Sequence, residues 1–174
     1  MWKKPSTTKE PENAEKAYEY AVFLLSLQLR TAGEILDKMA RRGYSSVITE
    51  AVLEQLHGQS YLDDERYATV FLDNLKRYKN LGYYGIKKKF LMKKLQPDLI
   101  SKILDEGLSP DEELKIAERF LKKEGVEVKS SADNNQSDVT YSTYDEAQGK
   151  QKQKIMVKLK SRGFRGEVIS RLLR

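Results

Sequence analysis

The sequence predicts an all-α protein built from three tandem three-helix repeats in an extended, curved array. Apolar residues recur at spacings of three and four from Ala14 to Leu121 and again from Ile155 to Leu173, and no stretch sustains strand alternation. A single register also aligns three segments of the chain, the signature of a repeat architecture. The third observation is the recurrence of short acidic clusters where one segment gives way to the next.

The register starts from Ala17, Ala68 and Ala117. Three residues on stand Tyr20, Phe71 and Phe120, and one further Ala21, Leu72 and Leu121, so each copy opens with a helix carrying the same apolar stripe. A second set of marks, Gly43, Lys94 and Gly163, is preceded by Ile35, Ile86 and Ile155 and by Met39, Phe90 and Leu159. It is followed by Tyr44, Leu95 and Phe164, then Ile48, Leu99 and Val168, and finally Val52–Leu53, Ile103–Leu104 and Leu172–Leu173. Each copy reads as helix, turn, helix, turn, helix, with Gly43 and Gly163 where a helix C-terminus prefers glycine. Thr31 and Glu34 form a T-x-x-E capping box at the second helix of the first copy.

These marks divide the chain into a flexible tail (1–13) and repeats at 14–62, 63–107 and 108–174. The third repeat carries a polar insertion at about 125–147, rich in Ser, Asn, Asp and Thr and expected as a mobile excursion. Asp63 and Asp64, in SYLDDERYA, fall at the first junction. A carboxylate there accepts amide bonds at a helix start and suits the positive end of the helix dipole, so the pair reads as structural, with one of the two as N-cap. Ser109-Pro110-Asp111-Glu112-Glu113 repeats that chemistry at the second junction.

The chain has 32 Lys and Arg against 26 Asp and Glu, a net charge of +6, and the excess is segregated. Residues 76–94 hold Lys76, Arg77, Lys79, Lys87, Lys88, Lys89, Lys93 and Lys94 and no acid, and residues 150–174 hold one acid, Glu167, against a run of lysines and arginines that includes Arg162 and Arg165. Arg77, Lys79, Lys87, Lys88, Lys94, Arg162 and Arg165 are therefore the candidate contacts to a protein or nucleic-acid partner. Lys89 and Lys93 form a second set. Lys87 and Lys94, seven apart, would superimpose on one solvent face of a helix. Tyr78, Tyr83 and Tyr84 interleave with the basic run, suiting base stacking or a protein partner.

Chemistry is harder to place. Without cysteine, and with His57 as the only histidine, thiolate catalysis, Cys-based zinc sites and His clusters are excluded. His57 in LHG suits a helix C-terminus, and the two glycines of LGYYG (81–85) fall short of a phosphate-binding fingerprint. The expectation is a non-enzyme with no cofactor, no metal and no small-molecule substrate. The most apolar window, AVFLLSL, is too short to span a bilayer, and a cytoplasmic protein is expected.

YLDDERYA at the first junction, R-T-x-x-E-I before K-M-x-x-R-G-Y, K-N-x-G-x-x-G-I-K-K-K-F in the second copy and KIMVKLKSRGFRGEVISRLL in the third resemble the RecX family of RecA regulators. The resemblance covers about residues 17–174. It implies a bacterial protein that binds the RecA nucleoprotein filament along its groove, meets DNA chiefly through the filament, and limits filament growth, ATP hydrolysis and strand exchange in recombination and repair. Two features depart from the family pattern: Lys94 where a turn glycine is usual, and the insertion in the third copy. A stand-alone basic nucleic-acid-binding protein is the alternative reading.

Overall fold

The computed structural model describes residues 7–126 and 144–173, with only the backbone course of 144–148. Among them are nine helices and no strand: α1 (Ala14–Leu27), α2 (Ala32–Arg42), α3 (Ser46–Gly58), α4 (Asp64–Tyr78), α5 (Tyr83–Met92), α6 (Pro97–Gly107), α7 (Pro110–Lys123), α8 (Tyr144–Ser161) and α9 (Gly166–Leu172). The insertion expected at about 125–147 lies mostly outside the described residues, and α8 already begins at Tyr144.

The repeat register is visible in burial. Ala17, Ala68 and Ala117 are fully buried, as are Met39, Phe90 and Leu159, and Tyr44, Leu95 and Phe164 are buried after them. None of the aligned apolar positions is exposed. The turn marks share one backbone state: Gly43, Lys94 and Gly163 have φ of 96°, 58° and 77°. Lys94 therefore preserves the turn that glycine makes in the other two copies, at the steric cost a Cβ pays in the left-handed region. It also lies beyond α5, so it does not share a helix face with Lys87.

Helix ends follow local chemistry. Thr31 and Glu34 close the expected capping box, and Ser109 with Glu112 forms another, with Pro110 in the first turn. Asn13 and Ser45 cap α1 and α3 through their side chains. The Asp63 carboxylate accepts the Arg66 amide at 2.8 Å and caps α4.

The chain packs as two compact units. The described residues up to Phe71 join Lys89–Ile103 in the first; Leu72–Lys88 and the described residues from Leu104 onward form the second. The core of the first includes Ala21, Leu24, Ile35, Met39, Val52, Leu56 and Leu62. Phe90 enters the same unit and stacks on Phe71 with ring centroids 5.6 Å apart. In the second unit Leu104, Leu108, Ala117, Leu121, Leu159 and Val168 are buried. The middle copy contributes to both because each unit is assembled around a junction between successive copies.

Candidate functional site

Each junction is closed by the same two contacts at the same register, with a third, within the later copy, beside them. A carboxylate four residues before the alanine mark reaches back to the second helix of the preceding copy: Asp64 accepts the Ala32 amide at 2.9 Å, and Glu113 accepts the Tyr83 amide at 3.0 Å. The carbonyl before the left-handed turn accepts from the residue just ahead of that helix: the Thr31 hydroxyl donates to the Lys93 carbonyl, and the Gly82 amide donates to the Arg162 carbonyl at 3.1 Å. Finally the side chain of that same residue covers an aromatic ring three after the alanine mark. Lys93 Nζ lies 5.9 Å from the Phe71 centroid and the Arg162 guanidinium 5.0 Å from that of Phe120, and Arg42 repeats the contact over Tyr20 at 5.3 Å.

Close backbone approach explains the glycines of LGYYG. A Cβ on Gly82 would sit 2.3 Å from the Phe164 Cα, and one on Gly85 2.3 Å from the Arg162 carbonyl oxygen. At the first junction Gly33 has the same role against Lys94. The motif is a docking surface between copies, which accounts for its lack of a phosphate fingerprint.

The second junction is the more elaborate. Glu113 is fully buried and its carboxylate also accepts the Arg165 amide at 2.8 Å and the Arg165 guanidinium, which donates further to the Leu108 carbonyl at 3.0 Å and lies over the Tyr83 ring. Both oxygens of the buried charge are thus met by donors, Oε1 by the two amides and Oε2 by the guanidinium, the condition under which a buried ion pair is tolerated.

The basic candidates consequently separate into two groups. Lys94 pairs with Asp37 at 2.7 Å, holding that carboxyl below its ordinary range, and Arg165 is committed to Glu113. Lys93 pairs with Glu34 at 3.1 Å, and Lys76 bonds both Glu112 and the Gly107 carbonyl. In contrast Arg77, Lys79, Lys88 and Lys89 are exposed and Lys87 half-buried, and none of the five makes an ion pair among the described residues. Tyr78 and Tyr84 beside them are 73% and 59% exposed. Arg162 is exposed, and its backbone lies against the first turn of α5, one turn before Lys87 and Lys88. Arg77, Lys79, Lys87, Lys88 and Arg162 all belong to the second unit.

The acidic pair also divides. Asp63 is the cap; Asp64 is half-buried, and desolvation raises its pKa against the opposing Ala32 hydrogen bond. A carboxyl raised in the folded state binds its proton more readily there than when unfolded. Its contribution is therefore most favourable at low pH and declines as pH rises through the window above the ordinary carboxylate value. Asp63→Ala is expected to lower stability by about 0.5–2 kcal/mol at neutral pH. Asp64→Asn, which keeps an acceptor for Ala32, is expected to cost less and to flatten the pH dependence between about 3.9 and neutrality. Urea titrations across that range check both.

No group of three or more potential metal ligands occurs among the described residues, and none of their helices is long and apolar enough to cross a membrane. His57 sits at the end of α3 with Nδ1 2.9 Å from the Leu53 carbonyl.

A family model described as RecX, first three-helix domain, matches residues 17–56. The regulatory protein RecX of Chlorobium limicola is 32% identical over 155 residues, covering 88% of this chain and 85% of the relative. That of Mycobacterium sp. (strain KMS) is 26% identical over 132 residues, covering 74% and 72%. Among solved structures, RecX from Lactobacillus salivarius superposes with a TM-score of 0.70 at 19% identity over 92% of this chain and 94% of that one. A crystal structure of regulatory protein RecX gives 0.71 at 21% over 91% and 72%. The superpositions establish a shared all-α fold, and the Chlorobium relative carries the likeness in sequence across nearly the whole chain: it belongs to the RecX family of regulatory proteins.

Proposed function

We propose that this chain binds the RecA nucleoprotein filament and restrains its extension, ATP hydrolysis and strand exchange, acting as a binding protein and not as a catalyst. The observation that carries this reading is the set of cations in the second unit that make no ion pair among the described residues, the exposed Arg77, Lys79 and Lys88 and the half-buried Lys87, in a chain of this family. A cation already paired with a carboxylate gains little attraction on meeting an anionic surface, whereas one without such a partner is available to steer and hold it. A repeat array also suits a partner that is itself a regular polymer.

Arg77, Lys79, Lys87 and Lys88 changed together to Glu are expected to weaken binding to preformed filaments by at least about tenfold. The far-ultraviolet circular dichroism and melting temperature should stay near those of the parent. Lys94→Glu is expected to act differently, lowering stability by placing like charges beside Asp37 at a strained turn. Wild-type filament affinity in the fourfold variant would exclude this surface. The exposed Tyr78 and Tyr84 favour a second reading, direct binding of single-stranded nucleic acid by stacking and phosphate contacts. Tight binding to naked DNA without RecA, requiring the same cations and falling steeply with salt, would select it.

A further inference from the structure

On the first copy, the surface that in the later copies meets the preceding one is occupied by residues 7–12. In the later copies the carbonyl ahead of the left-handed turn, Lys93 or Arg162, accepts a bond from the residue preceding a helix of the copy before. At the equivalent carbonyl of the first copy, Arg42, the donor is the Thr8 amide at 2.7 Å. Where Lys94 and Gly163 approach Gly33 and Gly85, the equivalent Gly43 faces Thr7, whose Cγ2 would lie 2.5 Å from an added Cβ. Two residues after the turn mark, the Arg165 amide donates to Glu113, and the equivalent Ser45 amide donates to the Pro11 carbonyl at 3.2 Å, with the Ser45 hydroxyl bonded to Glu12 at 2.9 Å.

We propose that Thr7–Glu12 is an end cap, a strap that takes the place of a preceding repeat and seals the docking surface of the first copy. These residues fall in the stretch expected from sequence as a flexible tail. Three polar contacts and the Lys16–Glu10 ion pair at 2.5 Å fix them instead against α1 and the α2–α3 turn. Repeat arrays need terminal elements that satisfy an otherwise open end. Here that element is a segment of extended chain, not a modified repeat. Gln151, the register equivalent of Gly82, lies inside α8, which starts at Tyr144, so the third copy presents no helix start at that place.

Hydrogen exchange at the Ser45 amide tests the cap. In the full chain this amide is expected to be protected, and removal of residues 1–12, which leaves the Asn13 helix cap intact, is expected to speed its exchange about five- to thirtyfold. Thr8→Pro in the full chain removes the donor to Arg42 without shortening the protein and should move Ser45 in the same direction. Thr8→Ala keeps that amide and should leave the rate near wild type. Circular dichroism of each variant establishes that the helices persist. An unchanged Ser45 rate in both the truncated chain and Thr8→Pro would overturn the proposal, as would equal effects of Thr8→Pro and Thr8→Ala.

Discussion

Glu113→Ala is expected to destabilise the protein by about 3–5 kcal/mol, the cost of breaking a buried ion pair from one side. The loss leaves the Tyr83 and Arg165 amides without their acceptor and the Arg165 guanidinium without its counter-charge, all beside a carboxylate site that solvent does not reach. Glu113→Gln, which retains a carbonyl oxygen for the two amides but not the charge, should fall between Ala and wild type. The exposed Asp111–Arg171 pair provides the comparison. Asp111 is 74% exposed, so Asp111→Ala should change stability by no more than about 1 kcal/mol. Urea unfolding with slope and midpoint fitted separately makes the comparison. Similar small losses for Glu113→Ala and Asp111→Ala would mean that the second junction is not held by this carboxylate.

The second large effect concerns glycine. In an ordinary helix interior, Gly→Ala stabilises by about 0.5–1 kcal/mol, and Gly58, the last residue of α3 with nothing within 4 Å of an added Cβ, is expected to gain up to that amount. Gly85 is also helical, yet its Cβ would lie 2.3 Å from the Arg162 carbonyl, backbone that cannot yield without moving the turn. Gly85→Ala is therefore expected to reverse the sign, costing about 1–3 kcal/mol or more. Gly163→Ala should cost more again, since its Cβ would approach the Gly85 amide nitrogen to 2.2 Å and its φ of 77° is unfavourable to any Cβ. Thermal melts of the three alanine variants give the ordering directly. Stabilisation by Gly85→Ala would show that the junction is looser than these distances.

Much of this architecture is legible in the sequence because it rests on local periodicity. Ala17, Ala68 and Ala117, the aromatic or apolar residues after them and the turn glycines are all set by helix geometry within one copy. Thr31–Glu34 and Asp63 are legible for the same reason, since a cap and its amide are three residues apart. The clasps are not. Asp64 meets Ala32 and Glu113 meets Tyr83 and Arg165 across chain separations that no local pattern records, and an acid near a helix start has the same composition whether it caps that helix or bonds the start of the second helix of the preceding copy. The charge map misleads by the same mechanism. Lys94 and Arg165 stand in stretches rich in basic residues, and their partners, Asp37 and Glu113, are brought in by the fold from far along the chain. One signal was available: the cation ahead of each turn, Arg42, Lys93 and Arg162, recurs in register with Tyr20, Phe71 and Phe120.

We propose that a protein held together by these clasps acts on RecA through the cations of its second unit that make no ion pair among the described residues. DNA-stimulated ATP hydrolysis by the cognate RecA, with this protein added below stoichiometry, tests it most directly. Hydrolysis is expected to fall with the wild-type chain and to recover with Arg77, Lys79, Lys87 and Lys88 changed to Glu, provided that variant remains folded. Undiminished hydrolysis with folded wild-type protein would contradict the account.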